Sequence, residues 1–244
     1  MGKANLLEHP GFVSRGLKTK LLLGDNSDAN SYTFIYPALN DPEARQYIGA
    51  ISFHSWRGWD QETLQKWADA ASRIHAELIV GEGSIDAAAW RYPNYFQEEA
   101  YALEEINLYT RLLAICQPAS ILQWELTSDY SLLKGGGVFG DNSPLAPTRR
   151  FWQLKQLGAT KANLLHINAV SSRADISCAA LVGENSCTIH IVNNSAGRKI
   201  VLKGIPKGIN SFMVTLTDKT HNMNKMNIVP VIKGEEIVHL APRS

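Results

Sequence analysis

The sequence predicts an α/β protein in two parts, a run of βα units over residues 1–160 and an antiparallel β-sandwich over 161–244. Three observations carry this expectation. Four continuous apolar runs in the first part suit strands covered on both faces, as in a parallel sheet. Segments with apolar residues at helical spacing lie between those runs. Past residue 160 the pattern changes to short, β-rich, often alternating stretches separated by turn residues.

The apolar runs are T-K-L-L-L-G-D-N (Thr19–Asn26), I-G-A-I-S-F-H-S-W (Ile48–Trp56), A-E-L-I-V-G-E-G-S (Ala76–Ser84) and S-I-L-Q-W-E-L-T (Ser120–Thr127). They predict four parallel strands ending near Asn26, Trp56, Ser84 and Glu125. After Asp60, a plausible N-cap, Leu64, Trp67, Ala68, Ala71 and Ile74 recur at helical spacing. Glu98–Cys116 repeats the pattern through Leu103, Ile106, Tyr109, Leu113 and Cys116 and stops before Pro118. A third helix is expected over T-R-R-F-W-Q-L-K-Q-L-G, between Pro147 and Gly158. Strands and helices thus alternate, as in βα units. The later stretches A-N-L-L-H-I-N-A-V, I-S-C-A-A-L-V, C-T-I-H-I-V-N-N-S, R-K-I-V-L-K-G-I, S-F-M-V-T-L-T-D and G-E-E-I-V-H-L-A-P have the spacing of an antiparallel sandwich.

Composition narrows the function classes. The chain has 244 residues, 45% hydrophobic and 19% charged, with a net charge of +1. That balance gives no reason to expect nucleic acid or an anionic membrane as partner. No apolar run reaches the roughly 18 residues of a membrane span. The N-terminus M-G-K-A-N-L-L-E-H-P is too short and polar for a signal peptide, which leaves the compartment open. Cys116, Cys178 and Cys187 lack C-x-x-C spacing, so neither zinc nor a disulfide framework is indicated, and no cofactor is expected.

In barrels of βα units the active site lies at the C-terminal strand ends. Here those ends carry Asp25 and Asn26, His54 and Trp56, Glu82 and Ser84, and Trp124 and Glu125. Each has a structural explanation: Asp25 or Ser84 can cap the next helix, and His54 can be a satisfied core histidine. Four polar strand ends on one face shift the balance toward function. Glu82 fits worst as a cap, because Gly83 follows and the next helical pattern starts later. An ionisable group there also needs a partner, since burying a lone charge costs several kcal/mol. Carboxylates beside indoles point to sugar chemistry, because glycosidases use two carboxyl groups and sugars stack on Trp. Trp56, Trp59, Trp90 and Trp124 fall on or after strand ends, whereas Trp67 and Trp152 sit in helical patterns and are expected in the core.

Together L-L-L-G-D-N, I-S-F-H-S-W, L-I-V-G-E-G-S and I-L-Q-W-E-L-T-S-D-Y-S-L-L resemble the fifth to eighth strands of a clan A glycoside hydrolase, closest to the family 30 type. P-T-R-R-F-W-Q-L-K-Q-L-G resembles that family's last barrel helix. The ending E-E-I-V-H-L-A-P-R-S is similar to the final strand of its β-domain, with Ala241 in place of the first proline of a Leu-Pro-Pro-x-Ser run. The resemblance covers nearly the whole chain. It implies the C-terminal half of a (β/α)₈ TIM barrel followed by a β-sandwich domain, and a retaining hydrolase acting on carbohydrate. It also implies that Glu82 is the nucleophile, that His54 orients it and that Trp124 forms a sugar platform. Asp25, Asn26, Trp56 and Glu125 complete the expected substrate-binding set.

One departure stands out. The family's acid/base is a glutamate in an Asn-Glu pair closing the fourth strand, and no such pair precedes Leu21. Glu8 follows no strand-like run and is not assigned. A full barrel takes about 250 residues, whereas the βα part here ends near 160. The expected partners are therefore a carbohydrate and either a missing N-terminal half-barrel or a second copy of the chain. The alternative is a noncatalytic carbohydrate-binding or scaffold protein that kept the cleft aromatics. An in-frame half-barrel bearing an Asn-Glu pair, encoded upstream of Met1, would favour the enzyme.

Overall fold

The computed structural model describes residues 14–16, 18–57 and 59–244, and Glu8 lies outside them. The described residues form two compact units. One comprises the residues up to Ala87 with Ile115–Trp124; the other comprises Ala88–Ala114 with Glu125–Ser244.

In the first unit β1 (Leu21–Gly24), β2 (Ile48–His54), β3 (Glu77–Gly83) and β4 (Ser120–Gln123) form one parallel sheet in the order β1-β2-β3-β4. The strands stop one or two residues before their predicted ends. Leu23, Ile51, Phe53, Leu78 and Val80 are buried in the layer between the sheet and α1 (Gln61–Arg73). Phe53 stacks on Trp67 with ring centres 4.9 Å apart, and the Trp67 indole N–H donates to the Ala29 carbonyl at 2.8 Å. Asp60 starts α1 as predicted: its carboxylate accepts from the Thr63 amide at 2.8 Å, and the hydrogen bonds from Thr63 hold its pKa below the ordinary value. Leu64, Trp67 and Ala71 are buried, while Ala68 and Ile74 are only partly so. The connection from β1 to β2 is not one helix. It breaks into short helical turns at Ala29–Ile35, Tyr36–Asn40 and Pro42–Arg45, because the Asp28 and Asp41 side chains cap new starts and Pro37 and Pro42 favour first-turn positions.

Side chains alternate across a strand, so Leu22 points away from the layer that holds Leu23. Leu22 on β1 and Leu122 on β4 are 47% and 53% exposed. Burying a leucine fully is worth about 1.5–3 kcal/mol, so both outer strands carry apolar surface that this unit leaves unused.

The second unit contains α2 (Glu99–Ile115) and α3 (Arg149–Gly158), the latter capped by Thr148 Oγ, which accepts from the Phe151 amide at 3.4 Å. Seven antiparallel strands follow: β5 (Leu165–Ile167), β6 (Ile176–Gly183), β7 (Ser186–Asn193), β8 (Arg198–Lys203), β9 (Ser211–Leu216), β10 (Asn224–Pro230) and β11 (Glu235–Leu240). They pair as β5-β6-β7, β8-β11 and β9-β10. Six of the seven fall on the predicted stretches. β10 does not, because Met226 and Ile228 are exposed and its sequence shows no clean alternation. A parallel sheet followed by antiparallel sheets is the predicted fold class.

His190 on β7 sets a pH response of this unit. Its Nε2 lies 2.8 Å from Thr160 Oγ, and burial pushes its pKa down to about 4. The unfolded chain takes up this proton near 6.5, the folded chain only near 4, so the unfolded state binds more protons in between. The contribution is complete above about pH 6.5 and is lost as pH falls toward 4, by no more than about 3 kcal/mol. Urea denaturation at pH 7.5 and 4.5 should show the loss, and His190→Gln should reduce the difference between the two pH values. An unchanged difference would remove His190 as its source.

Candidate functional site

The strand ends of the first unit converge on one ionisable cluster. β1 ends at Gly24, with φ of 102°, and Asp25 follows in the left-handed region with φ of 57°. A Cβ at Gly24 would collide with the Ser52 carbonyl, so only glycine lets β1 lie this close to β2. The resulting turn brings the Asp25 carboxylate to β2. Its Oδ1 accepts from Ser52 Oγ at 3.0 Å and lies 3.2 Å from His54 Nε2.

His54 is buried and stands between two carboxylates. Its Nδ1 lies 3.0 Å from Glu82 Oε2 at the end of β3, an approach poorly directed for a hydrogen bond. A ring protonated on Nε2 donates to Asp25; a ring carrying both protons meets both carboxylates. Trp56, buried just past β2, donates its indole N–H to the same Glu82 oxygen at 3.0 Å. Both contacts fall on Oε2. Among the described residues, no protein donor reaches Oε1. The Glu82 side chain keeps 26% of its surface exposed.

Ser55 fixes the level of this cluster. Its amide donates to the Glu82 carbonyl at 2.9 Å, and its hydroxyl donates to the Ser84 carbonyl at 2.6 Å while accepting from the Ser84 amide at 3.0 Å. Ser84 is fully buried in this tie, so its role is structural. A Cβ at Gly81 would collide with Asp25 Oδ1 and Ser52 Oγ, so that glycine makes room for the hydrogen-bonded Asp25 and Ser52 side chains.

Asp25, His54, Trp56 and Glu82 are thus brought into direct contact. Asn26 joins through its backbone, its carbonyl accepting from the His54 amide at 3.0 Å. Trp124 is bonded by its amide to the Gly83 carbonyl at 3.0 Å and exposes 39% of its surface, as a stacking platform needs. Trp59 is exposed as well, at 45%. Glu125 and Trp90 belong to the second unit. Trp67 is core, as expected. Trp152 is only half-buried, with the Lys155 ammonium 5.0 Å from its ring. Ser52, Ser55 and Gly81 were not singled out from sequence. Ser52 was findable, because it lies two residues before His54 and hence on the same strand face.

Among the described residues, no group of three or more His, Cys, Asp or Glu could hold a metal ion, and no helix is long and apolar enough to cross a membrane. The Cys116 thiol donates to the Leu64 carbonyl at 3.4 Å, and burial pushes the Cys178 and Cys187 thiols up.

No family model matches the sequence, and no curated protein does. Solved structures match over most of the chain. It is similar to the glycoside hydrolase family 30 subfamily 8 xylanase of Clostridium acetobutylicum over 97% of its length, with a TM-score of 0.73 and 14% identity. It is similar to the family 30 endoxylanase of Clostridium papyrosolvens C71 over 84%, with a TM-score of 0.66 and 16% identity. The catalytic domain of the family 30 xylanase C of Talaromyces cellulolyticus matches 95% of it, with a TM-score of 0.66 and 14% identity. The chain covers 56%, 50% and 52% of those three chains, about half their length. Over that half, its fold is that of the family 30 and related clan A glycoside hydrolase structures.

Proposed function

We propose that this chain supplies the nucleophile side of a retaining O-glycoside hydrolase, with Glu82 as nucleophile. The observation that carries the reading is the division of labour between the Glu82 oxygens: Trp56 donates to Oε2, with His54 Nδ1 3.0 Å from it, and Oε1 has no protein donor among the described residues. A nucleophilic carboxylate needs one oxygen positioned and the other open to the anomeric carbon. Oε1 attacks that carbon, the glycosidic bond breaks with its electron pair going to the leaving oxygen, and a glycosyl ester forms on Glu82. Water then hydrolyses the ester. Asp25 holds His54, and Trp124 and Trp59 offer faces for sugar stacking. The names of the three similar structures given above, each a family 30 xylanase, support a carbohydrate substrate.

The reading leaves the acid/base to another half-barrel. The exposed Leu22 and Leu122 support this, since a barrel half leaves its outer strands uncovered. The exposed Trp59 and Trp124, which can bind a sugar without chemistry, favour a second reading, a noncatalytic carbohydrate-binding or scaffold protein.

A dinitrophenyl 2-deoxy-2-fluoroglycoside separates the two. Dinitrophenolate leaves without protonation, so labelling needs the nucleophile but not the acid. The expected result is a covalent label on Glu82, located by peptide mass spectrometry. A label on Glu125, Asp25 or Asp129 would overturn the assignment, and saturable sugar binding with no label would favour the second reading. With an ordinary alkyl glycoside the chain alone should turn over slowly, lacking the ~10²–10⁴-fold that general acid catalysis supplies. Light scattering should show a dimer or larger species. A monomer with full turnover would place an acid within these residues, with Asp129, Asp86 and Glu125 the first to mutate.

A further inference from the structure

The second unit has a partly open cavity of about 390 Å³ between α2, α3 and strands β7, β9 and β11, in the size range of small-molecule sites. Its wall is largely apolar, with Ile106, Leu157, Val192 and Val238 among the lining residues. Several polar side chains in the wall bond to the protein. Gln156 donates to the Thr215 carbonyl at 3.0 Å and accepts from Thr217 Oγ at 2.6 Å. Thr110 Oγ donates to the Ile106 carbonyl at 2.9 Å. Thr160 Oγ donates to the Leu157 carbonyl at 2.6 Å and so accepts from His190 Nε2.

Gln153 differs from these in carrying a buried polar atom with no partner. It also lines the cavity, is only 7% exposed, and its Oε1 has no hydrogen-bond partner. An acceptor buried in this way costs about 1–3 kcal/mol unless something donates to it. We propose that the cavity binds a small neutral molecule with an apolar body and one hydroxyl donor, which bonds to Gln153 Oε1. Around Gln153 the wall is apolar, and the cationic lining residue, Lys161, is exposed to solvent.

The test compares two molecules of nearly equal size and apolar surface, of which only one can donate. The full chain is titrated calorimetrically with 1-naphthol and with 1-methylnaphthalene. The expected result is saturable binding of 1-naphthol at one site, about tenfold tighter than 1-methylnaphthalene, as one buried hydrogen bond allows. Gln153→Met keeps the side-chain length and should abolish the preference while sparing 1-methylnaphthalene binding. Equal affinities for the native chain, or no saturable binding of either at millimolar concentration, would overturn the proposal and leave the cavity to water. The comparison on the native chain stands even if the variant misfolds.

Discussion

Replacing Glu82 with Gln is expected to slow covalent labelling by an activated fluoroglycoside by on the order of 10⁴-fold or more, with sugar binding retained. The amide is nearly the same size and its oxygen can still accept from Trp56 Nε1, now at 3.0 Å from Glu82 Oε2. Its NH₂ group can face the His54 ring, so the pocket should keep its shape. What disappears is the charge and the lone pair that attacks. Trp56→Phe is the graded control. It keeps the nucleophile but deletes the donor that orients it, and losses for one such donor run to about 10²–10³-fold. If Glu82→Gln labels as fast as the native chain, Glu82 is not the nucleophile. If it loses sugar binding as well, the carboxylate serves the ground state.

The site was legible in sequence to the extent that it sits at strand ends. Asp25, His54, Trp56 and Glu82 each close an apolar run, and parallel strands stacked in order bring those ends together. The contacts among them were not legible. Whether His54 would reach Asp25, Glu82 or both depends on the turn that Gly24 and Asp25 make, and on the space left by Gly81. Glu125 closes a run in the same way, yet the chain leaves β4 at Gln123 and Glu125 falls in the other unit. In the helices, spacing identified one buried stripe of α2 through Leu103 and Tyr109. The structure also buries Tyr101, Glu105, Leu108 and Thr110, because α2 is covered on more than one side. Periodicity cannot report a polar residue that is buried by its partner.

Glu105 is such a residue, and breaking its pair with Arg150 should produce the largest stability loss in the molecule. The two are 1% and 0% exposed, on α2 and α3. Arg150 Nε and Nη2 donate to the two Glu105 oxygens, each at 2.8 Å, and Nη1 donates to the Tyr130 and Ser131 carbonyls at 3.1 Å. The guanidinium carbon lies 4.8 Å and 5.1 Å from the ring centres of Phe96 and Tyr101. Burial opposes the charge on Arg150, but Glu105 outweighs it and holds the pKa above its ordinary value. Glu105→Gln therefore strands a buried cation, at a cost of about 3–5 kcal/mol. For a chain of this size that corresponds to a fall of roughly 6–20 °C in the melting temperature. Arg150→Met should cost a similar amount by stranding the carboxylate, and by freeing the carbonyls that Nη1 now serves. The double variant Glu105→Leu with Arg150→Met should be less damaging than either single change, because an apolar pair leaves neither charge buried alone. Urea denaturation of the four proteins completes the cycle. A Glu105→Gln loss below about 1 kcal/mol, or a double variant as unstable as the sum of the singles, would show that the ion pair does not hold α2 and α3 together.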